Sequence, residues 1–104
     1  MDDIAFLGTA IPYMAQLVDF LEKNYPQLDI EDDEEFIAIE LSDKRQFLVN
    51  IHSTSKQIWL SSPLSGAHHF AYDTTSQDWI DTRGTESLLS RLDWELEQVI
   101  GIGD

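Results

Sequence analysis

The sequence predicts an α+β two-layer sandwich, with two helices packed on one face of a twisted antiparallel sheet of about six strands. Three observations lead there. Apolar residues recur at three- and four-residue steps near both ends of the chain, the spacing of an amphipathic helix. Between those ends the period changes to two, as in half-buried strands. The connections between these strands are short enough to require hairpins, hence an antiparallel meander flanked by helices that cover one face and leave the other open. The element order is αβββββ(β)α, and 104 residues are expected to form a single domain over 1–104.

Taken in order, Ile4, Leu7, Ile11, Met14, Val18, Leu21 and Tyr25, with Leu17 alongside, trace one apolar stripe on a first helix of about 20 residues. Asp2 or Asp3 is the candidate N-cap. Pro12 interrupts the pattern, because inside a helix it removes a hydrogen bond and crowds the preceding turn. Either the helix bends there, or Thr9 caps a helix that starts near Ala10 or Ile11. The stripe stays in phase across Pro12, which favours one bent helix, closed by Pro26. Leu28–Glu31, Phe36–Leu41, Phe47–Ile51, Gln57–Ser61 and His68–Tyr72 then read as strands, with a brief sixth around Trp79-Ile80. Gly84-Thr85 opens the second helix with Thr85 as cap. Leu88, Leu89, Leu92, Leu96, Val99 and Ile100 form its buried face, with Glu86, Arg91, Asp93, Glu95 and Glu97 mostly outside it. Gly101 and Gly103 end it.

Charge is the strongest compositional signal: 20 acids against 6 bases give a formal net charge of −14. Such a surface repels nucleic acid and anionic membranes and favours cations or a basic protein partner. There is no cysteine, which removes disulfides, thiolate metal sites and cysteine nucleophiles and fits a reducing compartment. No apolar run is expected to reach the roughly 18 residues that span a bilayer. The start Met1-Asp2-Asp3 is acidic where a targeting peptide is basic, so a soluble, cytoplasmic protein is expected.

Six carboxylates crowd the seven positions from Asp29 to Glu35, and neither Lys23 nor Lys44 suffices to neutralise them. A hard cation relieves their repulsion, and oxygen ligands suit Fe, Mn, Mg and Ca. The order is not that of an EF-hand, so weak, labile binding is expected; a merely solvated acidic hairpin is the alternative. In the strand Gln57-Ile58-Trp59-Leu60-Ser61, the aliphatics face a core while Trp59 shares the polar face. That face is either a docking surface, with Asn50, Gln57 and Ser61 around one aromatic, or one on which the indole packs flat against a neighbouring strand. His68 and His69 point to opposite faces and cannot chelate one ion side by side, although one of them could join His52 from a neighbouring strand. No Gly-rich phosphate loop, Gly-x-Ser-x-Gly elbow or Glu-x-x-His pair occurs, so an enzyme is not expected.

Asn50 followed by Gln57-Ile58-Trp59-Leu60-Ser61-Ser62-Pro63-x-Ser65-Gly66 resembles the signature of the frataxin family, with His52 and Thr54 standing where that family has Gln and Pro. The resemblance implies the same two-layer fold and a non-enzymatic, iron-binding modulator of iron–sulfur cluster assembly. It implies loosely bound iron (Fe²⁺ or Fe³⁺) on an acidic ridge, formed here by Asp19 and Glu22 on the helix and Asp29, Glu31, Asp32 and Asp33 on the strand. Leu17, Phe20 and Lys23 stand near positions where many relatives carry acids, which shifts weight to the strand. The ridge would also meet a basic surface of a cysteine desulfurase. Asn50, Gln57, Trp59, Ser61 and His69 would meet the iron–sulfur scaffold protein. A monomer in the cytoplasm is implied, or in an organellar matrix after loss of a transit peptide. An iron-oxidising or iron-storing protein and a metal-indifferent acidic adaptor are the rival readings.

Overall fold

A computed structural model describes residues 1–103, the last three by their backbone alone. Asp2 is extended, and its Oδ1 accepts the Ala5 N–H at 2.8 Å, so this carboxylate caps helix α1 (Asp3–Asn24). The helix runs unbroken through Pro12, and Thr9 is no cap: its hydroxyl donates to the Ala5 carbonyl four residues back. The carbonyl freed by the proline is that of Gly8, and both residues are exposed, so water can serve it. The buried line is Phe6, Ala10, Met14, Leu17 and Leu21. This corrects the expected stripe, for Ile4 is 86% exposed. The apolar arc is broader than the part the sheet covers, and Leu7, Ile11 and Val18 fall on its half-buried flank. By length and average apolarity α1 is able to cross a membrane, contrary to expectation, yet this line of it is a wall of the protein core.

The strands are β1 (Asp29–Asp33), β2 (Phe36–Glu40), β3 (Gln46–His52), β4 (Gln57–Ser62), β5 (Gly66–Asp73) and β6 (Asp78–Asp81). Each pairs antiparallel with the next, giving one sheet in sequential order. The register sorts residues strictly. Ile37, Val49 and Leu60 form one inward row, and Ile51, Ile58 and Phe70 another. Every strand residue that is fully buried lies on this side, beneath the helices, and none lies on the other. Trp79 anchors the far edge, with its ring centroid 5.8 Å from Phe6, 5.9 Å from Tyr13 and 5.4 Å from Tyr72. Gly66 opens β5 with φ +86, a backbone that favours glycine.

Helix α2 (Leu88–Gly103) starts later than expected. Thr85 is not the cap. Ile80 bridges to Ser87, the Asp81 N–H donates to the Glu86 carbonyl, and Ser87 Oγ accepts the Ser90 N–H at 3.1 Å, so Ser87 caps the helix. Nor does Gly101 stop it, since the helix continues to Gly103. Leu88, Leu92 and Leu96 are buried as expected, but Glu95 is fully buried too, which the pattern did not foresee.

Candidate functional site

Strand β1 is an edge strand, and its sequence puts acids on both sides of it. Asp29, Glu31 and Asp33 lie on the open face, opposite Glu40, Ala38 and Phe36 of β2; Asp32 points to the helix side, opposite Ile37. Asp33 Oδ1 accepts the Glu35 N–H at 2.8 Å and closes the β1–β2 hairpin. Glu22 of α1 meets Asp29 around a cavity of about 410 Å³ whose wall includes Tyr25, Leu28 and Ile30. Asp32, Asp33 and Glu34 rim a second cavity, of about 420 Å³, floored by Ile11, Met14, Ala15 and Val18. Asp19 is exposed on α1 and Glu31 on the sheet, and neither lines these cavities. Among the described residues none of the six candidate carboxylates forms an ion pair. Nor do three His, Asp or Glu side chains converge as a preformed metal centre. The chemistry on offer is that of unneutralised oxygen donors along one border, able to take a hard cation without dictating its geometry. Leu17, one of the ridge positions lacking an acid, is a core residue, and Phe20 packs on Tyr25 at 6.2 Å.

The open face gathers the partner-binding candidates. Asn50 pairs across the ladder with Trp59, and Trp59 with His69. Gln57 and Ser61 flank the tryptophan on β4. The indole is not bare: it lies on the outer face and packs flat against side chains of both neighbouring strands. It stacks on His52 at 3.8 Å between centroids and 10° between planes, and on His69 at 4.4 Å and 20°. Its Nε1–H donates to Gln57 Oε1 at 2.8 Å. Trp59 is thus half-buried on the outer surface, clasped from both neighbouring strands. His52 and His69 do share a face, but with the indole wedged between them they cannot bind one ion. Phe36, 37% exposed, and Leu48 extend the same face toward β1.

A second polar arrangement backs the turn at the end of this face. Glu95 accepts hydrogen bonds from the hydroxyls of Ser62 and Ser65 and from Arg91 Nη1 at 3.1 Å. Arg91 Nη2 also pairs with Glu86 at 3.1 Å. Ser65 Oγ lies 2.7 Å from His68 Nε2, and Ser62 Oγ accepts the N–H groups of Leu64 and Ser65. The Ser62-to-Gly66 turn is therefore tied to α2 through a buried carboxylate. The i,i+4 spacing of Arg91 and Glu95 was the only sequence signal for it.

Comparison with known proteins agrees with this architecture. The family model of the frataxin-like domain matches residues 1–102. An iron–sulfur cluster assembly protein CyaY from Dechloromonas aromatica is 33% identical over 97% of this chain and 94% of its own length. The mitochondrial frataxin homolog of Schizosaccharomyces pombe is 37% identical over 60% of this chain, though the match spans only 39% of that longer relative. Among solved structures, a frataxin from Psychromonas ingrahamii superposes with a TM-score of 0.80 at 22% identity, covering 94% of this chain and 90% of its own. A trimeric frataxin from the yeast Saccharomyces cerevisiae, complexed with ferrous iron, does so with 0.76 at 30% identity over 89% and 86%. With that family model matching nearly the whole sequence and a CyaY relative a third identical along its length, the chain belongs to the frataxin family.

Proposed function

We propose that this protein is an iron-binding modulator of iron–sulfur cluster assembly. It holds Fe²⁺ or Fe³⁺ loosely as cargo on Asp19, Glu22, Asp29, Glu31, Asp32 and Asp33, and docks this acidic border on a basic surface of a cysteine desulfurase. The open face, through Asn50, Gln57, Trp59, Ser61 and His69, meets the scaffold protein. The reading is of a monomer acting without chemistry of its own, in the cytoplasm or an organellar matrix. One observation carries it: carboxylates that form no ion pair among the described residues concentrate on the edge strand, beside a sheet face that none of the described elements covers. Charge contacts of this exposed kind are screened by salt.

The test is capture of purified desulfurase and scaffold at low and moderate ionic strength, with and without the replacements Asp29→Asn, Glu31→Gln and Asp33→Asn. The desulfurase should be held at low salt, released as salt rises, and lost with the triple variant. A Fe²⁺ titration followed by backbone NMR should move residues 29–35. Silence there would leave an acidic adaptor indifferent to metal, and iron oxidation faster than in matched buffer would make the protein an enzyme.

A further inference from the structure

In a chain with 20 acids, the surroundings of Trp59 stand out because none of them is acidic. By register its neighbours on the open face are Leu48, Asn50, Ala67 and Ala71 on the flanking strands and Gln57 and Ser61 on its own, besides the two stacked histidines. No helix packs here. The groups left facing solvent are amides, a hydroxyl and two imidazoles, none of them negatively charged. Trp59 Nε1–H is spent on Gln57 Oε1, which turns the Gln57 amide N–H₂ free. His52 Nδ1 is held at 2.6 Å by Ser55 Oγ, leaving Nε2 outward. His69 has no side-chain hydrogen bond among the described residues. It borders a cavity of about 430 Å³ shared with His68, Asp81 and Arg83. There Asp81 accepts the Arg83 N–H at 2.8 Å and lies 3.9 Å from His68, so its charge is turned toward the inner side. The Arg83 side chain makes no ion pair among the described residues.

We infer that this stack receives a carboxylate-bearing segment of a protein partner, and that the contact tightens as pH falls through the range where imidazoles gain charge. The inference rests on the open face being a docking surface and adds what it selects. The sign follows from donor chemistry. A neutral imidazole offers one donor and one acceptor, whereas a protonated one offers two donors and a positive charge, and an indole on either side of it is a favourable neighbour for that charge. The acids on the same face stand away from the stack: those of β1 three strands from β4, roughly 14 Å at about 4.8 Å per strand, Glu40 two strands away and further along β2, and Asp73, with Asp78 beside it on β6, four residues along β5 from His69, roughly 13 Å. At physiological ionic strength the screening length is about 8 Å, so the local pair of imidazoles outweighs the distant border.

The experiment uses two synthetic probes: a short peptide rich in glutamate and leucine, and a twin with every glutamate replaced by glutamine. Binding is followed by NMR at about pH 6 and about pH 8 in physiological salt. The glutamate peptide should bind roughly three- to ten-fold more tightly at the lower pH, two exposed charge contacts being worth that much. The resonances of residues 50, 57, 59 and 69 should move, and the glutamine twin should show no such gain. His52→Gln with His69→Gln should flatten the pH dependence; His52→Gln alone should remove about half of it on a logarithmic scale. Equal binding of the twins, a pH gain that survives both replacements, shifts centred elsewhere, or self-association of the free protein at pH 6 through these residues would each overturn the inference. Loss of scaffold binding with peptide selectivity intact would instead refute only the choice of the scaffold as partner.

Discussion

The two tryptophans of the sheet give the sharpest test of its two faces. In Trp59→Ala the losses are two stacking contacts, at about 0.5–1.5 kcal/mol each, and one hydrogen bond to Gln57 worth about 1 kcal/mol. No cavity is left, because water fills the vacated place on an open surface, and the two imidazoles can relax toward each other. The net cost should be about 2 kcal/mol. Trp79→Ala empties a site only 1% exposed among Phe6, Tyr13 and Tyr72, and cavity-forming aromatic deletions of that kind cost about 3–5 kcal/mol. Against a total stability of about 5–15 kcal/mol, the first variant stays folded and the second approaches the limit. Urea unfolding measures both. With a slope of about 1–2 kcal/mol per molar, Trp59→Ala should lower the midpoint by about 1–2 M with the slope unchanged. A Trp59→Ala protein as damaged as Trp79→Ala would refute the assignment of the indole to the outer face. A loss below about 0.5 kcal/mol would refute the stack.

Glu95→Ala removes the acceptor of three hydrogen bonds, but Arg91 keeps Glu86 and Ser65 keeps His68; a cost of about 2–4 kcal/mol in urea unfolding is expected, with the amide signals of 62–66 shifting first. Ser87→Ala should cost about 1 kcal/mol and Thr85→Ala almost nothing in the same assay, since only Ser87 caps α2. Burial, and then the hydrogen bond donated to Asp93, push the Tyr25 hydroxyl well above its ordinary value near 10. A raised value in the folded state means this stabilising contribution is whole below pH 10 and drains away as pH climbs past it. Thermal unfolding between about pH 9 and pH 11 should thus fall less steeply for Tyr25→Phe than for the parent.

Much of this fold was legible because periodicity reports burial directly. The alternation through Gln57–Ser61 sends Ile58 and Leu60 into the core as expected, and the meander follows from loop length alone. What sequence could not reveal arises where several elements combine. The apolar arc of α1 is wider than the sheet, so only contact decides that Phe6 and not Ile4 is covered. Thr85 and Ser87 are both N-cap residue types; the bridge from Ile80 to Ser87 decides between them. Glu95 looks like a surface acid because its serine partners lie 30 or more residues away in the chain. At the candidate site, the acids of β1 and the signature strand were visible as lists of residues. The clasp on Trp59 was not, since it needs His52 and His69 brought in from different hairpins.

Helix α1 has one more consequence, for synthesis. It leaves the ribosome before the strands and second helix that cover Phe6, Met14, Leu17 and Leu21 are made. At about 5–20 residues per second the remaining chain needs several seconds. During that interval a nascent segment long and apolar enough for a bilayer stands without its shelter. Every hairpin of the meander closes locally and fast, so the wait lasts until β6 delivers Trp79 to Phe6 and α2 follows it. Chaperones and targeting factors that scan emerging chains therefore meet, in this protein, a helix whose greasy side is orphaned by the order of translation.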